Sequence, residues 1–413
     1  MLQPVRGTKD LLPDDFRAHA HVIATAKEIV ERFGFQEMAT PIFEFSQVFN
    51  PIGETSDVIS KETYTFLDRN GESLTLRPEG TAPVMRAIIS NGLTQQTPLK
   101  YFYAGPMFRY DRPQKGRYRQ FYQIGVELVG IATPQADIET IASAHEIIKA
   151  LNLQDAIALQ VNSLGDAESR TAYKTILVEY LQDHKDQLSE DSQNRLQRNP
   201  LRILDSKDPS DQRLIATAPS YQDSLTPASK EFFEHVLEGL SLLNIPYEIT
   251  PTLVRGLDYY CHTAFEFVST QLGAQGTVLG GGRYDGLVKA LGGTDLPGVG
   301  WAGGVERLAL LAELSLAAPR PVVLIPLGEA ENKIALKIAH ELRSHGFYVE
   351  QGYSGNMSKR LKKADTLKAR HVIILGENEL KNDSVLIRDL DSGSQDLVNL
   401  HSIVDYFKIR KAA

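Results

Sequence analysis

Apolar positions along the chain change their period several times, and those changes divide it. From about residue 16 to residue 33 they recur at three- and four-residue intervals, the spacing that turns one face of a helix toward a core. Strand-like runs then alternate with glycine-rich turns to about residue 165. Residues 166 to 245 are polar, rich in Gln, Asp, Glu, Ser and Lys, and helical spacing returns in ESRTAYKTILVEYLQDHKDQL and SKEFFEHVLEGLSLLN. The strand pattern resumes at about residue 247, through YEITPTLVRGL, YCHTAFEFVST and GTVLGGGRYDGL, so the polar stretch reads as a helical insertion. A helix at GGVERLALLAEL closes this zone, and SLAAPRP reads as a linker. Beyond it, strands at VVLIPL, FYVEQGY, HVIILG and SVLIRDL alternate with helical stretches at 330–345 and 357–368, the order of a small α/β domain. The expected division is therefore 1–318, with its insertion at 166–245, and 319–413.

Bulk properties narrow the class. A chain of 413 residues exceeds one compact core, and 42 % hydrophobic with 23 % charged residues is the composition of an ordinary folded protein. The N-terminus MLQPVRGTKDLLPDD has no apolar leader segment, and no run of about 18 apolar residues occurs, so a cytoplasmic protein without a membrane partner is expected. A single cysteine, Cys261, excludes an intramolecular disulfide framework and a cysteine-based zinc cage. The net charge of -8 hides an asymmetry: from residue 319 onward 15 Lys and Arg face 12 Asp and Glu, leaving 29 against 40 before it. SKRLKKADTLKAR, 358–370, carries six basic residues and one acid, and serves equally as a solvated helix face or an RNA contact.

Three stretches carry candidate chemistry. LKYFYAGPMFRYDRPQKGRYRQFYQIGVELVG reads as a long hairpin with five cations and one acid between Arg109 and Arg119, a cluster suited to phosphates or RNA. On its returning strand, Phe121, Gln123, Gly125 and Glu127 share one face. That face is either the floor of a pocket or a half-exposed sheet surface. In TLRPEGTAPVMRAI, Thr81 is placed to cap a helix, with or without a ligand role, and Glu79 sits in the turn where a carboxylate could meet an ammonium. Gly298, Gly300 and Gly303 satisfy G-x-G-x-x-G, but no strand precedes them and no βαβ unit opens there. The glycines read instead as allowing close strand–helix packing, with Arg307 near the helix start. No P-loop and no H-E-x-x-H occurs, and His262 reads as structural. Arg109, Arg255 and Arg307 come from three separate segments, and a phosphate chain is the ligand that would gather them.

Taken together, these residues resemble a known family. FRYDRPQKGRYRQF and GVGWAGGVERL are similar to motifs 2 and 3 of class II aminoacyl-tRNA synthetases, and FGFQEMATPIFE to the dimer-forming motif 1. LVRGLDYY and GGGRYDGL resemble the two signature peptides of the histidyl-tRNA synthetases, and RGTKDLLP and TLRPEGTAP fit the same family. The resemblance covers essentially the whole chain. It implies an α/β fold: an α+β catalytic core built on an antiparallel sheet flanked by helices, a helical insertion, and a C-terminal mixed-sheet anticodon-binding domain. The implied activity is ATP-dependent joining of L-histidine to tRNA(His) through histidyl-adenylate, by a homodimer, with Mg2+ on the outer phosphates.

The same resemblance implies roles by position. Arg109 would hold the α-phosphate of ATP, Arg307 the γ-phosphate, and Arg255 would add positive charge at the reacting phosphorus. Phe121 would stack on adenine. Glu127 would accept from the imidazole N–H while Tyr260 donates to its bare nitrogen, with Tyr259 as a wall; Glu79, Thr81 and Gln123 would take the α-ammonium. A site built from buried polar partners rejects other amino acids strongly enough that no editing domain is implied. Arg112 and Gln114 in the hairpin loop would reach the acceptor end of the tRNA. The chain departs from the usual pattern at Tyr110 and Asp111, where motif 2 often reads His-Glu, and Cys261 and His262 receive no role. A rival within the same fold is a catalytically silent paralogue serving as regulatory subunit of an ATP phosphoribosyltransferase. It would lack the C-terminal domain and part of the signature peptides.

Overall fold

Helix α1, Pro13–Arg32, begins three residues before its periodic stretch because Pro13 supplies a preset first turn with Asp14 and Asp15 behind it. Its buried face, His19, Val22, Ala26, Ile29 and Val30, is the one the spacing marked. The computed structural model describes residues 2–53, 59, 61–114, 116–313 and 316–412. Ser315, the first residue of the expected linker, and Lys115 of the basic loop lie outside that set. The chain divides into two units, Met1–Ser315 and Leu316–Ala413.

In the first unit the chain runs through β1 (Gln36–Glu37), β2 (Phe43–Phe45), β3 (Tyr64–Leu67), β4 (Ser73–Leu76), α2 (Thr81–Ser90), β5 (Leu99–Phe108), β6 (Gln120–Val129), α3 (Pro134–Ala150) and β7 (Ala158–Ser163). Helices α4 (Ala167–Asp183), α5 (Glu190–Arg198), α6 (Pro209–Ile215) and α7 (Pro227–Leu242) follow. Then come β8 (Glu248–Ile249), β9 (Cys261–Val268), β10 (Thr277–Arg283), α8 (Leu287–Ala290), β11 (Gly298–Gly304) and α9 (Val305–Leu311). Eight strands form one sheet in the order β1-β5-β6-β11-β10-β9-β7-β8, antiparallel except at its two edge pairs, while β2, β4 and β3 form a small separate sheet.

One face of the large sheet is closed by α1, α3 and α7. Val22 and Ile29, Ile141 and Ile147, and Val236 and Leu240 pack there on Phe102, Ile124, Val126, Phe265 and Trp301. Burying such side chains contributes about 1.5–3 kcal/mol each, which fixes the sheet as a platform. Thus α7, although inside the polar stretch 166–245, belongs to the sheet's core layer, and α4 to α6 form the outer helical module. Helix α3 was not expected, since its zone reads as strands and turns; its Pro134 start, and Ile138, Ile141, Ile147 and Ile148 at helical spacing, are the signal.

A second expectation fails at TLVRGL. Its apolar residues suggest a strand, but residues 250–260 contain none, and strand pairing resumes only at Cys261. The amide of Asn162 explains the departure: Nδ2 holds the carbonyls of Pro251 (3.1 Å) and Leu253 (2.9 Å), turning the chain away from the ladder. Arg255 therefore projects from a loop.

The second unit is a five-stranded sheet, β12 (Val322–Pro326), β13 (Val349–Gln351), β14 (His371–Leu375), β15 (Ser384–Asp389) and β16 (Gln395–Asn399), in the order β13-β12-β14-β15-β16. The first three are parallel and the last two antiparallel, which makes the sheet mixed. Helices α10 (Glu329–Ser344) and α11 (Met357–Thr366) fall on the expected stretches, whereas α12 (Glu377–Lys381), β16 and α13 (Ile403–Ala412) were not foreseen. Helix α11 buries only Ala364, so Lys359, Lys362 and Lys363 stay exposed.

Candidate active site

Strands β5 and β6 pair from Leu99↔Val129 to Phe108↔Gln120, making the hairpin the sequence predicts. At its tip Gly116 adopts φ 72°, a turn conformation open to glycine, and Asp111 pairs with Arg117 across the loop. The alternation on β6 turns Ile124, Val126 and Leu128 into the core and Gln123 and Glu127 to the opposite face. That face is not half-exposed: Gln123 is 9 % accessible and Glu127 is 0 %.

A cavity of about 330 Å³ opens over it, lined by Glu79, Thr81, Arg109, Phe121, Gln123, Arg255, Tyr259, Tyr260 and Arg307, together with Arg117, Asp205 and Glu266. The three arginines singled out in the sequence thus converge. Arg109 donates from Nε to the carbonyl of Pro78 at 2.8 Å and lies over the Phe121 ring at 5.5 Å. Arg255 pairs with Glu266, which also accepts from Thr277 Oγ1 at 2.6 Å. Arg307, the third residue of α9, donates from Nε to the Gly116 carbonyl at 3.2 Å. Burial lowers the pKa of Arg109 and of Arg307, and for Arg307 the nearby charges of Arg117 and Arg109 lower it further. Cations that destabilise one another in a confined space form a receptor for a polyanion.

Glu127 does not line the cavity but lies fully enclosed beside it. Thr81 Oγ1 donates to its Oε1 at 2.7 Å, and the Tyr284 hydroxyl donates to its Oε2. Burial pushes its pKa up to about 8, opposed by those two donors. Thr81 is not the helix cap expected of it. It is the first helical residue, the N-cap position is Gly80, and the donors at the helix start are taken by Glu79, whose carboxylate accepts from the N–H of Thr81 (2.7 Å) and of Ala82 (2.8 Å). The hydroxyl is thereby released to Glu127. Gln123 has a buried Oε1 with no partner, an acceptor waiting for a donor. Arg112 and Gln114 stand apart on the loop, exposed.

The glycines of β11 act differently from the strand–helix packing expected. β11 is itself a sheet strand between β6 and β10. A Cβ on Gly300 would meet Glu127 Oε2 at 2.1 Å and the Val126 carbonyl at 2.4 Å, and one on Gly298 would meet the Tyr284 ring at 2.3 Å. On the neighbouring strands, a Cβ on Gly280 would meet the Arg255 guanidinium at 2.6 Å and one on Gly125 the Tyr103 hydroxyl at 2.4 Å.

Sequence reasoning passed over Tyr284, Tyr103 and Glu266. Glu266 had a signal, an acid inside the apolar strand CHTAFEFV, and Tyr284 lies within GGGRYDGL, but nothing in the sequence pairs it with the remote Glu127; Tyr103, on the outgoing strand of the hairpin, had no signal. The acids that line the cavity already have partners: Glu79 the α2 N–H groups, Asp111 Arg117, Asp205 Arg202 and Lys207, Glu266 Arg255, and Glu306 the N–H of Tyr122. Among the described residues no three His, Cys, Asp or Glu gather as a metal site.

Comparison with known proteins bears on the same residues. A family model described as histidyl-tRNA synthetase matches residues 7–308, and one described as an anticodon binding domain matches 321–410. A histidine–tRNA ligase of Rhodospirillum rubrum is 57 % identical over 407 residues, 98 % of each chain, and one of Gluconacetobacter diazotrophicus is 53 % identical over 406 residues, again 98 % of each. The crystal structure of the apo histidyl-tRNA synthetase of S. aureus superposes with a TM-score of 0.83 at 34 % identity, covering 99 % of this chain and 100 % of the other.

Proposed function

Because the chain belongs to the histidyl-tRNA synthetase family, we propose that the arginine-lined cavity is where it joins histidine to ATP. The reaction is the ATP-dependent attachment of histidine to tRNA(His) through histidyl-adenylate, with release of AMP and pyrophosphate, and not the silent regulatory role. The observation that carries the assignment of the site is the convergence of Arg109, Arg255 and Arg307, from three distant segments, on one cavity.

In this reading the histidine carboxylate attacks the α-phosphorus and pyrophosphate leaves. Arg109 and Arg255 face the α-phosphate and Arg307 the γ-phosphate, so fixed positive charge stands where the transition state gathers negative charge. Arg255 is held in place by Glu266, which spares it a reorientation during reaction. Phe121 offers its ring to adenine. Gln123 Oε1, the unpartnered acceptor, takes the α-ammonium with Glu79 and with the Thr81 oxygen. Glu127 accepts the ring N–H and Tyr260 donates to the other nitrogen, with Tyr259 as the wall.

With the cavity's acids already partnered, the residues do not form a cage for Mg2+. Magnesium enters this reading as a companion of the outer phosphates of ATP. The tRNA side of the reading rests on the exposed Arg112 and Gln114 and on the outward lysines of α11. Dimerisation is supported by one apolar face on the small sheet. Phe45, Leu74 and Phe66 stand in one register row and Phe43, Leu76 and Tyr64 in the next, with Phe43, Phe45 and Phe66 nearly half accessible. Among the described residues no helix is long and apolar enough to cross a membrane, and the reading keeps the protein in the cytoplasm. Histidine-dependent exchange of labelled pyrophosphate into ATP tests the whole. Its presence is expected; its absence would remove the adenylation site.

A further inference from the structure

The outer helical module meets the Arg255 loop at Asp258 and at Tyr260. After α5 the chain turns at Asn199 into a short 3-10 segment, Pro200–Asp205. Asn199 donates from Nδ2 to Oδ1 of Asp258 at 2.9 Å, and at the far end of the segment Asp205 reaches the rim of the cavity. From α4, Arg170 donates to the carbonyl of Asp258 at 2.8 Å and to that of Tyr260 at 3.5 Å. On the other side the N–H of Asp258 donates to the Ile52 carbonyl at 3.0 Å. A Cβ on Gly53 would meet Asp258 Oδ2 at 2.1 Å, so the carboxylate lies hard against that backbone.

Asp258 follows Arg255 by three residues and adjoins Tyr259, in a segment with no strand pairing of its own. Its position is therefore set by what grips it, and two of the grips belong to the module. The module can hold still because its own joints are locked. Asp211, fully buried in α6, accepts from the N–H of Ser189 (2.8 Å) and from the hydroxyls of Ser189 (2.7 Å), Ser192 (2.5 Å) and Ser206 (2.6 Å), tying the start of α5, the end of the 3-10 segment and α6 to one carboxylate.

We propose that Asn199 and Arg170 are positioning residues for Arg255. The helical module sets the catalytic loop, and adenylate formation depends on it even with no tRNA present. The inference rests on the role given to Arg255 above. A displacement of the loop by a fraction of an ångström moves the guanidinium away from the reacting phosphorus, and misplacements near 1 Å cost up to about a hundredfold in rate. Binding of histidine, whose partners lie on β6 and α2 as well, is affected less.

The test is pyrophosphate exchange without tRNA. Asn199→Asp sets one carboxylate against another; kcat is expected to fall about tenfold or more while KM for histidine and ATP stay within about twofold. Asn199→Asp combined with Asp258→Asn restores a donor–acceptor pair with the partners exchanged, and should recover most of the lost rate. Arg170→Gln, which removes the second grip without touching Asn199, should also lower kcat, so the proposal remains testable if one variant folds poorly. Unaltered kcat in both Asn199→Asp and Arg170→Gln, with only a lower melting temperature, overturns the proposal. So does a double variant whose losses add without rescue. No exchange in the unsubstituted chain would overturn the underlying reading of the site, and this inference with it.

Discussion

Thr81 Oγ1 donates to Glu127 Oε1 at 2.7 Å, binding the first residue of α2 to the C-terminal half of β6. A helix start thus orients a carboxylate on the sheet. The hydroxyl is free for this only because Glu79 satisfies the helix N–H groups in its stead.

Thr81→Val keeps the shape and deletes the donor. Leaving a buried carboxylate one hydrogen bond short costs about 1–3 kcal/mol. Histidine KM is expected to rise about tenfold in pyrophosphate exchange, with ATP KM nearly unchanged; equal changes in both would contradict the link to Glu127.

Arg255→Ala should slow adenylate formation by about two orders of magnitude, near 3 kcal/mol, because the contact proposed for it strengthens as negative charge builds on the α-phosphate oxygens. Single-turnover adenylation measures this directly. A rise confined to histidine KM would assign Arg255 to binding instead.

Glu127 gives a pH signature. Burial raises its pKa from the ordinary 4.5 to about 8. The folded chain keeps the proton where the unfolded chain gives it up, so its contribution to stability is whole below pH 4.5 and is lost as pH rises toward 8. The slope is on the order of 1 kcal/mol per pH unit. Glu127→Gln, neutral throughout, should flatten it. Denaturant unfolding of the ligand-free protein at pH 5 and pH 8, with and without the substitution, reads the difference; parallel slopes would refute the raised value.

Removing residues 319–413 should spare pyrophosphate exchange and lower tRNA charging about a hundredfold or more, since one of the two surfaces proposed to hold RNA is lost. The first unit keeps its own core around Ile124, Val126 and Trp301, which is why its chemistry is expected to survive the truncation. Equal loss of both activities would make the C-terminal unit a support of the fold.

Much of this was legible in sequence because it is local. Alternation along β6 put Gln123 and Glu127 on one face, and the hairpin followed from two apolar runs around Gly116. What escaped was non-local. TLVRGL has the composition of a strand, and only the side chain of Asn162, some ninety residues away, bends it into a loop. Thr81 has the composition of a cap, and only Glu79 and Glu127 together divert it. Tyr284 looks like any tyrosine after a glycine run until β11 brings it to Glu127. Helix α3 is a different case: its start signal was present and was outweighed by the strand-like runs around it.

Gly125, Gly280 and Gly300 lie on three adjacent strands, and the volumes their side chains would fill are occupied by Tyr103, Arg255 and Glu127. The pocket is sunk into the thickness of the sheet. Redesigning it for a bulkier amino acid cannot proceed by trimming the sheet at Gly125, Gly280 or Gly300, which have no side chains to remove. Room has to come from the tyrosine walls, and each of those also carries part of the polar network, so a change of substrate and a loss of activation chemistry are coupled from the first substitution.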